Sequence, residues 1–130
     1  MLVRDAPGGP SAFLKEATIV SYFVNRREVQ GTQRAGQISY PMLDGSNGCV
    51  AGFSAGITLY TAAEYPPPGV HRDQEGFVVM EGTGWARVGN EEYRLEPDVC
   101  FVAPAGVEHT IKRDADVEHV KVCWFHGAIA

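Results

Sequence analysis

The sequence predicts an all-β protein, and two observations carry that prediction. Short stretches rich in β-branched and aromatic residues recur about every 8–12 residues, separated by clusters of Gly, Pro, Asn and Asp. These stretches do not alternate with amphipathic helical segments, which argues against a parallel sheet built from βαβ units. We therefore expect an antiparallel sandwich or barrel around one hydrophobic core.

The length and composition are consistent with a single folded domain. The chain has 130 residues, of which 45% are hydrophobic and 21% are charged, and a core of this size does not need disulfides or a metal for stability. Residues 1–17 begin with a Gly- and Pro-rich segment and are predicted to form an N-terminal arm. Residues 18–130 contain no evident linker and are predicted to form the single β-domain.

The strands are predicted from residue type and from the turns that end them. Residues 18–24 are β-branched and aromatic, as strands prefer, whereas residues 43–56 have many small residues and no clear period. Pro66-Pro67-Pro68-Gly69 ends one strand, since proline cannot donate to a sheet ladder, and Gly89-Asn90 is typical of a hairpin turn. The predicted strands are 18–24, 37–40, 57–65, 70–72, 77–80, 85–88, 91–95, 99–103, 109–113 and 117–125.

Charge and cysteine content exclude several classes of partner. The formal net charge is −5, and no basic stripe is present to neutralise phosphates, so neither nucleic acid nor an anionic membrane surface is an expected partner. No signal-peptide pattern and no apolar run of about 18 residues occurs. The three cysteines are an odd number, which argues against a secreted disulfide framework and predicts a cytoplasmic protein. Cys100 and Cys123 lie in apolar runs and are predicted to be buried.

Histidine and glutamate residues beside two of the predicted turns form a candidate metal site. His71 and Glu75 flank the turn-prone Asp73-Gln74, and His109 opens the strand after Pro104-Ala105-Gly106. A carboxylate that faces the interior of a barrel needs a partner, and a cation supplies one.

These residues occur in two motifs that resemble those of cupins. The first cupin motif runs G, five residues, HxH, three or four residues, E, six residues, G; the second runs G, five residues, PxG, two residues, H, three residues, N. In this chain Glu75 is followed by six residues and Gly82, and Pro104-Ala105-Gly106 by two residues and His109. The resemblance covers residues 62–127, about half of the chain.

The sequence departs from the cupin pattern at several positions. With Glu75 as the anchor, His71 takes the second His position of HxH and Gly69 takes the first. Asp98 or Pro97 stands where the second motif opens with Gly, and Arg113 stands at its closing Asn. A register that pairs His71 with Asp73 as HxD is rejected, because the carboxylate position would then fall on Phe77; Asp73 is still expected near the site.

The resemblance implies a double-stranded β-helix, or jelly-roll barrel, and a homodimer in which residues 1–10 or 18–24 cross to the partner. It also implies that His71, Glu75 and His109 bind a divalent metal, which can be Fe, Mn, Ni or Zn. Two histidines and one carboxylate with open positions suit non-haem iron(II), and zinc uses the same ligands with a water. The competing interpretation is a site that has lost its metal.

Further residues are candidates for the substrate pocket or for an extra ligand. Strand alternation in residues 117–126 places Val120, Val122, Trp124 and His126 on the inner face, so that His126 reaches the barrel mouth, while His119 faces solvent. Phe77, Phe101, Trp85 and Trp124 are predicted to be core residues, some of them walling the pocket. The candidates for pocket or ligand are His126, Tyr60, Tyr65, Phe77 and Trp124.

The leading functional hypothesis is a metal-dependent enzyme that acts on a small organic molecule, with dioxygenase-like oxidoreductase chemistry first and isomerase or lyase chemistry second. No catalytic residue is assigned, and Glu108 is not taken as the general base because it alternates to the outside of its strand. The alternative is a non-catalytic barrel that binds or senses a small molecule, which the missing ligand at Gly69 favours. A purely structural role is the third hypothesis, since fold alone does not determine activity.

Overall fold

The computed structural model describes residues 20–127, in which β-strands dominate. The strands are β1 (Thr32–Arg34), β2 (Gln37–Leu43), β3 (Ser54–Tyr60), β4 (Gln74–Glu81), β5 (Gly84–Val88), β6 (Glu91–Leu95), β7 (Cys100–Ala103), β8 (His109–Arg113) and β9 (Val120–Gly127). Two single 3-10 turns, Arg26–Glu28 and Gly45–Asn47, are the helical elements of this range. No helix in residues 20–127 is long and apolar enough to span a bilayer.

The strands form two antiparallel sheets, and the predicted all-β jelly-roll architecture is confirmed. The larger sheet has the order β1-β2-β3-β9-β4-β7, and the smaller has the order β6-β5-β8. The last strand, β9, lies in the middle of the larger sheet between β3 and β4. Strand β4 therefore lies between β7 and β9, and β9 separates it from β3.

The hydrophobic core lies between the two sheets and takes side chains from both. Phe77 of β4 is fully buried and stacks on Phe101 of β7, with ring centroids 4.5 Å apart. On β9, Val120 and Val122 are fully buried and Trp124 packs against the core, as the alternation predicted. The fully buried apolar residues are Phe77, Val79, Ala86, Leu95, Ala103, Ile111, Val120 and Val122.

Strand predictions fail mainly in the first half of the domain. The predicted arm, residues 1–17, lies outside the described residues, as do residues 18 and 19. The predicted strand at 18–24 is wrong over its described part, because residues 20–24 form no strand and Ser21 Oγ bonds instead to the backbone of Phe23. The strand predicted at 57–65 leaves the sheet after Tyr60. Residues 70–72 form no strand; the adjacent Gly69 makes one isolated bridge with His109.

Trp85 and Cys100 were predicted to be interior but face outward instead, and Cys123, which was also predicted to be buried, is only partly buried. Trp85 lies on the outer face of β5, where the Arg94 guanidinium carbon is 5.5 Å from a Trp85 ring centroid. Cys100 is exposed because it alternates with the buried-side Phe101 along β7 and pairs with the outward Val78 of β4. Apolar character alone did not separate the two faces, since exposed apolar residues occur on both sheets, for example Val102 and Phe125 on the larger and Tyr93 on the smaller.

Gly82 ends β4 at a point where the backbone requires glycine. Its φ is 83°, a conformation that side chains with a Cβ rarely adopt. A Cβ at this position would also collide with the carbonyl oxygen of His119. The glycine that closes the first motif therefore allows the chain to turn tightly from β4 into β5, beneath the start of β9.

The Arg94–Asp114 ion pair ties β6 to the end of β8 and should make stability dependent on acid pH. Arg94 Nη1 and Nη2 donate to Oδ1 and Oδ2 of Asp114 at 2.9 and 2.7 Å. Arg94, together with the side chain of Thr83, lowers the pKa of Asp114 from 3.8 to about 2. Because the folded-state pKa is the lower one, the stabilisation is present above about pH 4 and is lost as the pH falls toward about 2.

We therefore expect Asp114→Asn to lower the free energy of unfolding near neutral pH by about 1 kcal/mol or less, since the pair is partly exposed. The difference between the two proteins should shrink between about pH 4 and about pH 2. Urea unfolding of both proteins at several pH values between about 2 and 7 measures this difference in the free energy of unfolding. A difference that stays constant as the pH falls would contradict the role of the ionised pair.

Candidate metal centre

Backbone hydrogen bonds hold the two histidine-containing segments together at one end of the barrel. Gly69 and His109 exchange two N–H···O bonds of 2.9 and 3.0 Å. The Gly106 N–H, in the turn before β8, donates to the His71 carbonyl at 2.8 Å. The φ of Gly106 is 77°, which suits glycine. The Pro-Ala-Gly turn therefore fixes the positions of His71 and His109 relative to each other.

Strand register brings Glu75 and His126 together as well. Glu75 is the second residue of β4, and its partner on β9 is His126. The Glu75 residue is 7% exposed, whereas the His109, His126 and His71 side chains are 12%, 19% and 32% exposed. The cluster thus runs from a nearly buried carboxylate to a partly open histidine.

The Nε2 atoms of three histidines face the Glu75 carboxylate. Oε1 of Glu75 lies 3.0 Å from Nε2 of His71 and 3.3 Å from Nε2 of His109. Oε2 lies 3.4 Å from Nε2 of His126. The ring centroids of His109 and His126 are 5.0 and 4.9 Å from that of His71. Three imidazole nitrogens therefore surround the one Glu75 carboxylate, two of them at Oε1 and one at Oε2.

The other ring nitrogen of each histidine contacts a group that only accepts hydrogen bonds. Nδ1 of His71 lies 2.8 Å from Oδ1 of Asp73, and Nδ1 of His126 lies 2.8 Å from Oδ2 of the same residue. Nδ1 of His109 lies 3.1 Å from the Val107 carbonyl oxygen. Each Nδ1 must therefore carry the proton, and in a neutral ring the inward Nε2 is left with its lone pair.

The electrostatics of the cluster favour cationic charge at its centre. Burial opposes charge on His109, but hydrogen bonds to Glu75 and to the Val107 carbonyl outweigh it and raise the pKa of His109. Burial likewise acts to raise the pKa of Asp73, but the hydrogen bond from His126 and the nearby imidazoles lower it. Lone pairs aimed at a buried carboxylate repel it unless protons or a metal ion lie between them.

The residues therefore fit a divalent metal in chemistry and in geometry. Imidazole nitrogen and carboxylate oxygen are ligands for zinc, iron, nickel and manganese. One ligand atom from each of His71, Glu75 and His109 lies within 4.8 Å of the other two, and His71, Asp73 and His126 form a second group that meets the same limit. A hydrogen bond from Nδ1 to a carboxylate or carbonyl is also the usual arrangement behind a metal-binding histidine.

A cavity of about 360 Å³ opens directly above the cluster. Trp124 lines it and donates from Nε1 to Thr58 Oγ1 at 2.8 Å. Tyr60 also lines it, and burial together with the negative charge of Glu75 raises the pKa of Tyr60. The lining residues are Arg34, Gln37, Ser39, Thr58, Tyr60, Pro66, Pro67, Gly69, His71, Glu75, His109, Thr110, Ile111, Trp124 and His126.

Two of the sequence-predicted pocket residues lie elsewhere. Phe77 is fully buried in the core beneath the site, where its ring centroid is 5.8 Å from that of His109. Tyr65 lies outside the cavity, and its hydroxyl donates to Oε2 of Glu92 at 2.8 Å. Arg87 and Lys112 both lie within 5 Å of the Tyr65 ring centroid, at 4.9 and 4.6 Å. Tyr65 therefore belongs to a charged outer surface of the smaller sheet.

Sequence reasoning missed one wall of the cavity. Arg34 of β1 and Gln37 and Ser39 of β2 line it. Strand β1 is three polar, exposed residues, so it carries no hydrophobic period by which it could have been found. A Gly at position 36, with φ of 72°, is the one local signal of the β1–β2 turn.

The fold and the cluster together define a class of protein: a small antiparallel barrel with a histidine- and carboxylate-rich centre at one end of its interior. Residues 57–126, more than half of the chain, match the family model described as the cupin domain. The chain belongs to the cupin family. Among curated proteins, no sequence is significantly similar to it.

Solved structures with the same fold include proteins of different activities. The polyketide cyclase RemF from Streptomyces resistomycificus is 14% identical with a TM-score of 0.69, over 81% of this chain and 78% of that one. KdgF from Halomonas sp. is 18% identical with a TM-score of 0.66, over 85% and 96%. A variant of salicylate 1,2-dioxygenase from Pseudoaminobacter salicylatoxidans is 18% identical with a TM-score of 0.64, over 77% and 29%. At these identities the likeness shows the fold.

Proposed function

We propose that this chain is a metal-dependent enzyme that acts on a small organic molecule, with oxygenase chemistry as the first candidate and isomerase or lyase chemistry as the second. The observation that carries the proposal is the nearly buried Glu75 carboxylate, which faces the Nε2 atoms of His71 and His109 at 3.0 and 3.3 Å on the floor of an open cavity. In the proposed site these three residues hold the metal.

The protein groups around the metal site have separate roles in this proposal. A divalent metal would supply Lewis-acid polarisation of an oxygen-bearing substrate and, if it is iron, redox chemistry with O₂. Tyr60, whose pKa is raised, stays a neutral phenol and can donate a hydrogen bond into the cavity beside Glu75. Arg34 and Gln37 add polar groups to the cavity wall, which favours a substrate with an acidic or oxygen-rich group.

The cavity volume and lining support a small substrate. A volume of about 360 Å³ lies at the lower end of the range for small-molecule pockets, about 300–1,000 Å³. Trp124, Ile111 and Pro66 supply apolar wall, so the cavity combines apolar surface with a few polar groups on one side. Two of the structural neighbours are, by name, a polyketide cyclase and a salicylate 1,2-dioxygenase, both of which act on organic molecules.

The proposal is tested by oxygen consumption and substrate loss with protein loaded anaerobically with Fe(II). A panel of small aromatic and aliphatic acids, with their amides as neutral controls, is then added in the presence and absence of O₂. We expect at least one acid to be consumed with stoichiometric uptake of O₂. Conversion without O₂ would favour the isomerase or lyase branch. Tight binding of a panel member without any conversion, with every metal tried, would contradict the enzyme proposal and favour a binding module.

A further inference from the structure

We infer that His126 is a metal ligand, and that it fills the coordination position that Gly69 leaves without a side chain. The inference rests on the proposed metal site and changes its composition. The ligand set becomes three imidazoles and one carboxylate, with the third imidazole supplied by the last strand of the domain rather than by the segment that precedes β4.

The position of His126 follows from the pairing of β4 with β9. His126 is the register partner of Glu75, so the backbone itself places the imidazole over the carboxylate. Nε2 of His126 lies 3.4 Å from Oε2 of Glu75, and the corresponding contacts of His71 and His109 to Oε1 are 3.0 and 3.3 Å. Ligand atoms about 2.1 Å from one metal are separated by about 2.9–3.4 Å in octahedral or tetrahedral geometry. The three separations fall in this range, with His71 and His109 measured to Oε1 and His126 measured to Oε2.

His126 is also held rigidly in this orientation. The Trp124 ring packs edge-on against it, with centroids 5.3 Å apart and an interplanar angle of 84°. Trp124 is itself fixed by its 2.8 Å hydrogen bond to Thr58, which is 2% exposed. A ligand whose rotamer is set by packing and hydrogen bonding costs little entropy when it binds a metal.

Asp73 acts in this arrangement as a positioning residue rather than as a ligand. Its two carboxylate oxygens lie 2.8 Å from Nδ1 of His71 and 2.8 Å from Nδ1 of His126, which is the length of a charge-assisted hydrogen bond. One carboxylate thus orients two imidazoles and leaves both Nε2 atoms facing Glu75. A metal held instead by Asp73, His71 and His126 would have to replace both of these hydrogen bonds.

Position 69 has space for a side chain that points toward the cluster. A Cβ built on Gly69 would have only one non-neighbouring atom within 4 Å, Nε2 of His109 at 3.8 Å, which is ordinary contact. Gly69 does not have a positive φ, so its backbone conformation is open to residues other than glycine. A histidine at position 69 is therefore sterically allowed, and it offers a direct test of whether His126 takes over that coordination position.

The test is X-ray absorption spectroscopy of Co(II)-loaded protein combined with calorimetric measurement of Co(II) affinity. The wild type is expected to show three imidazoles per cobalt. His126→Ala should show two imidazoles per cobalt. Its Co(II) affinity should fall by at least about 10- to 100-fold, because even the loss of a residue that only hydrogen-bonds to a ligand has an effect of that size. Asp73→Ala should keep three imidazoles while losing about 10- to 100-fold in affinity. His119→Ala is the matched control, because His119 contacts Glu81 on the outside of the barrel and should change neither quantity.

The outcomes separate this inference from the proposal on which it rests. Failure of the wild type to bind Co(II) would overturn the metal site and the inference together. Two imidazoles in the wild type, with unchanged affinity in His126→Ala, would overturn the inference alone. Gly69→His in the His126→Ala background should restore a third imidazole, and its failure to do so would also count against the inference. His126→Gln is a second variant that removes the imidazole with a smaller change in side-chain volume. The melting temperature of each variant without metal shows whether it is still folded.

Discussion

Glu75→Ala is expected to weaken divalent metal binding by more than about 100-fold, beyond the 10- to 100-fold that loss of an outer-shell partner costs. Glu75 is the residue toward which the Nε2 atoms of His71, His109 and His126 all point, at 3.0–3.4 Å. It is also the single carboxylate among the proposed ligands, so its removal takes away the negative charge that offsets the metal. Calorimetric titration of apo-protein with Zn(II) and Co(II) measures the effect.

Glu81→Ala is the matched control for this change. Glu81 is the last residue of the same strand, its side chain is 59% exposed, and it contacts His119 and Lys121 on the outer surface. Its substitution should leave metal affinity unchanged. If Glu75→Ala bound metal within about 10-fold of the wild type, the metal would have to be held elsewhere.

Phe77→Ala should have the largest effect on stability, lowering the free energy of unfolding by about 3–5 kcal/mol. Phe77 is fully buried at the centre of the core, where it stacks on Phe101 and lies beneath His109. The cavity left by the ring cannot collapse easily, because β4 is fixed between β7 and β9. Domains of this kind have a free energy of unfolding of about 5–15 kcal/mol, so this loss is a large part of the total stability.

Guanidinium unfolding of the apo-protein measures the Phe77→Ala effect, with Phe23→Ala as the control. Phe23 is 76% exposed and its replacement should change the free energy of unfolding by no more than about 0.5 kcal/mol. Equal effects of the two substitutions would show that the core is not centred on Phe77. Because Phe77 supports His109, we also expect Phe77→Ala to weaken metal binding.

The sequence was most informative where spacing and backbone requirements coincide. Glu75, Gly82 and His109 were placed correctly relative to turns because glycine at 82 and the Pro-Ala-Gly turn at 104–106 each impose one local geometry. Strand alternation was sufficient to put His126 on the inner face of β9. It could not show that His126 lies opposite Glu75, because that depends on the register between strands about 50 residues apart.

Residues without a periodic or motif signal were not predictable. Arg34 reaches the cavity from a short exposed strand, and its role depends on how β1 folds back along β2. Asp73 was expected near the site, but its contact with two histidines at once requires the β9 position of His126. Trp85 was misplaced because a large apolar residue can also lie on an outer face, here beneath the Arg94 guanidinium.

The most direct test of the central claim is the metal content of the purified protein, measured by plasma mass spectrometry together with the His71→Ala and His109→Ala variants. We expect close to one iron, manganese, nickel or zinc ion per chain in the wild type, and its loss from both variants while they remain folded. Absence of metal from the wild type, even after anaerobic reloading with each of these ions, would contradict the account and leave a metal-free barrel.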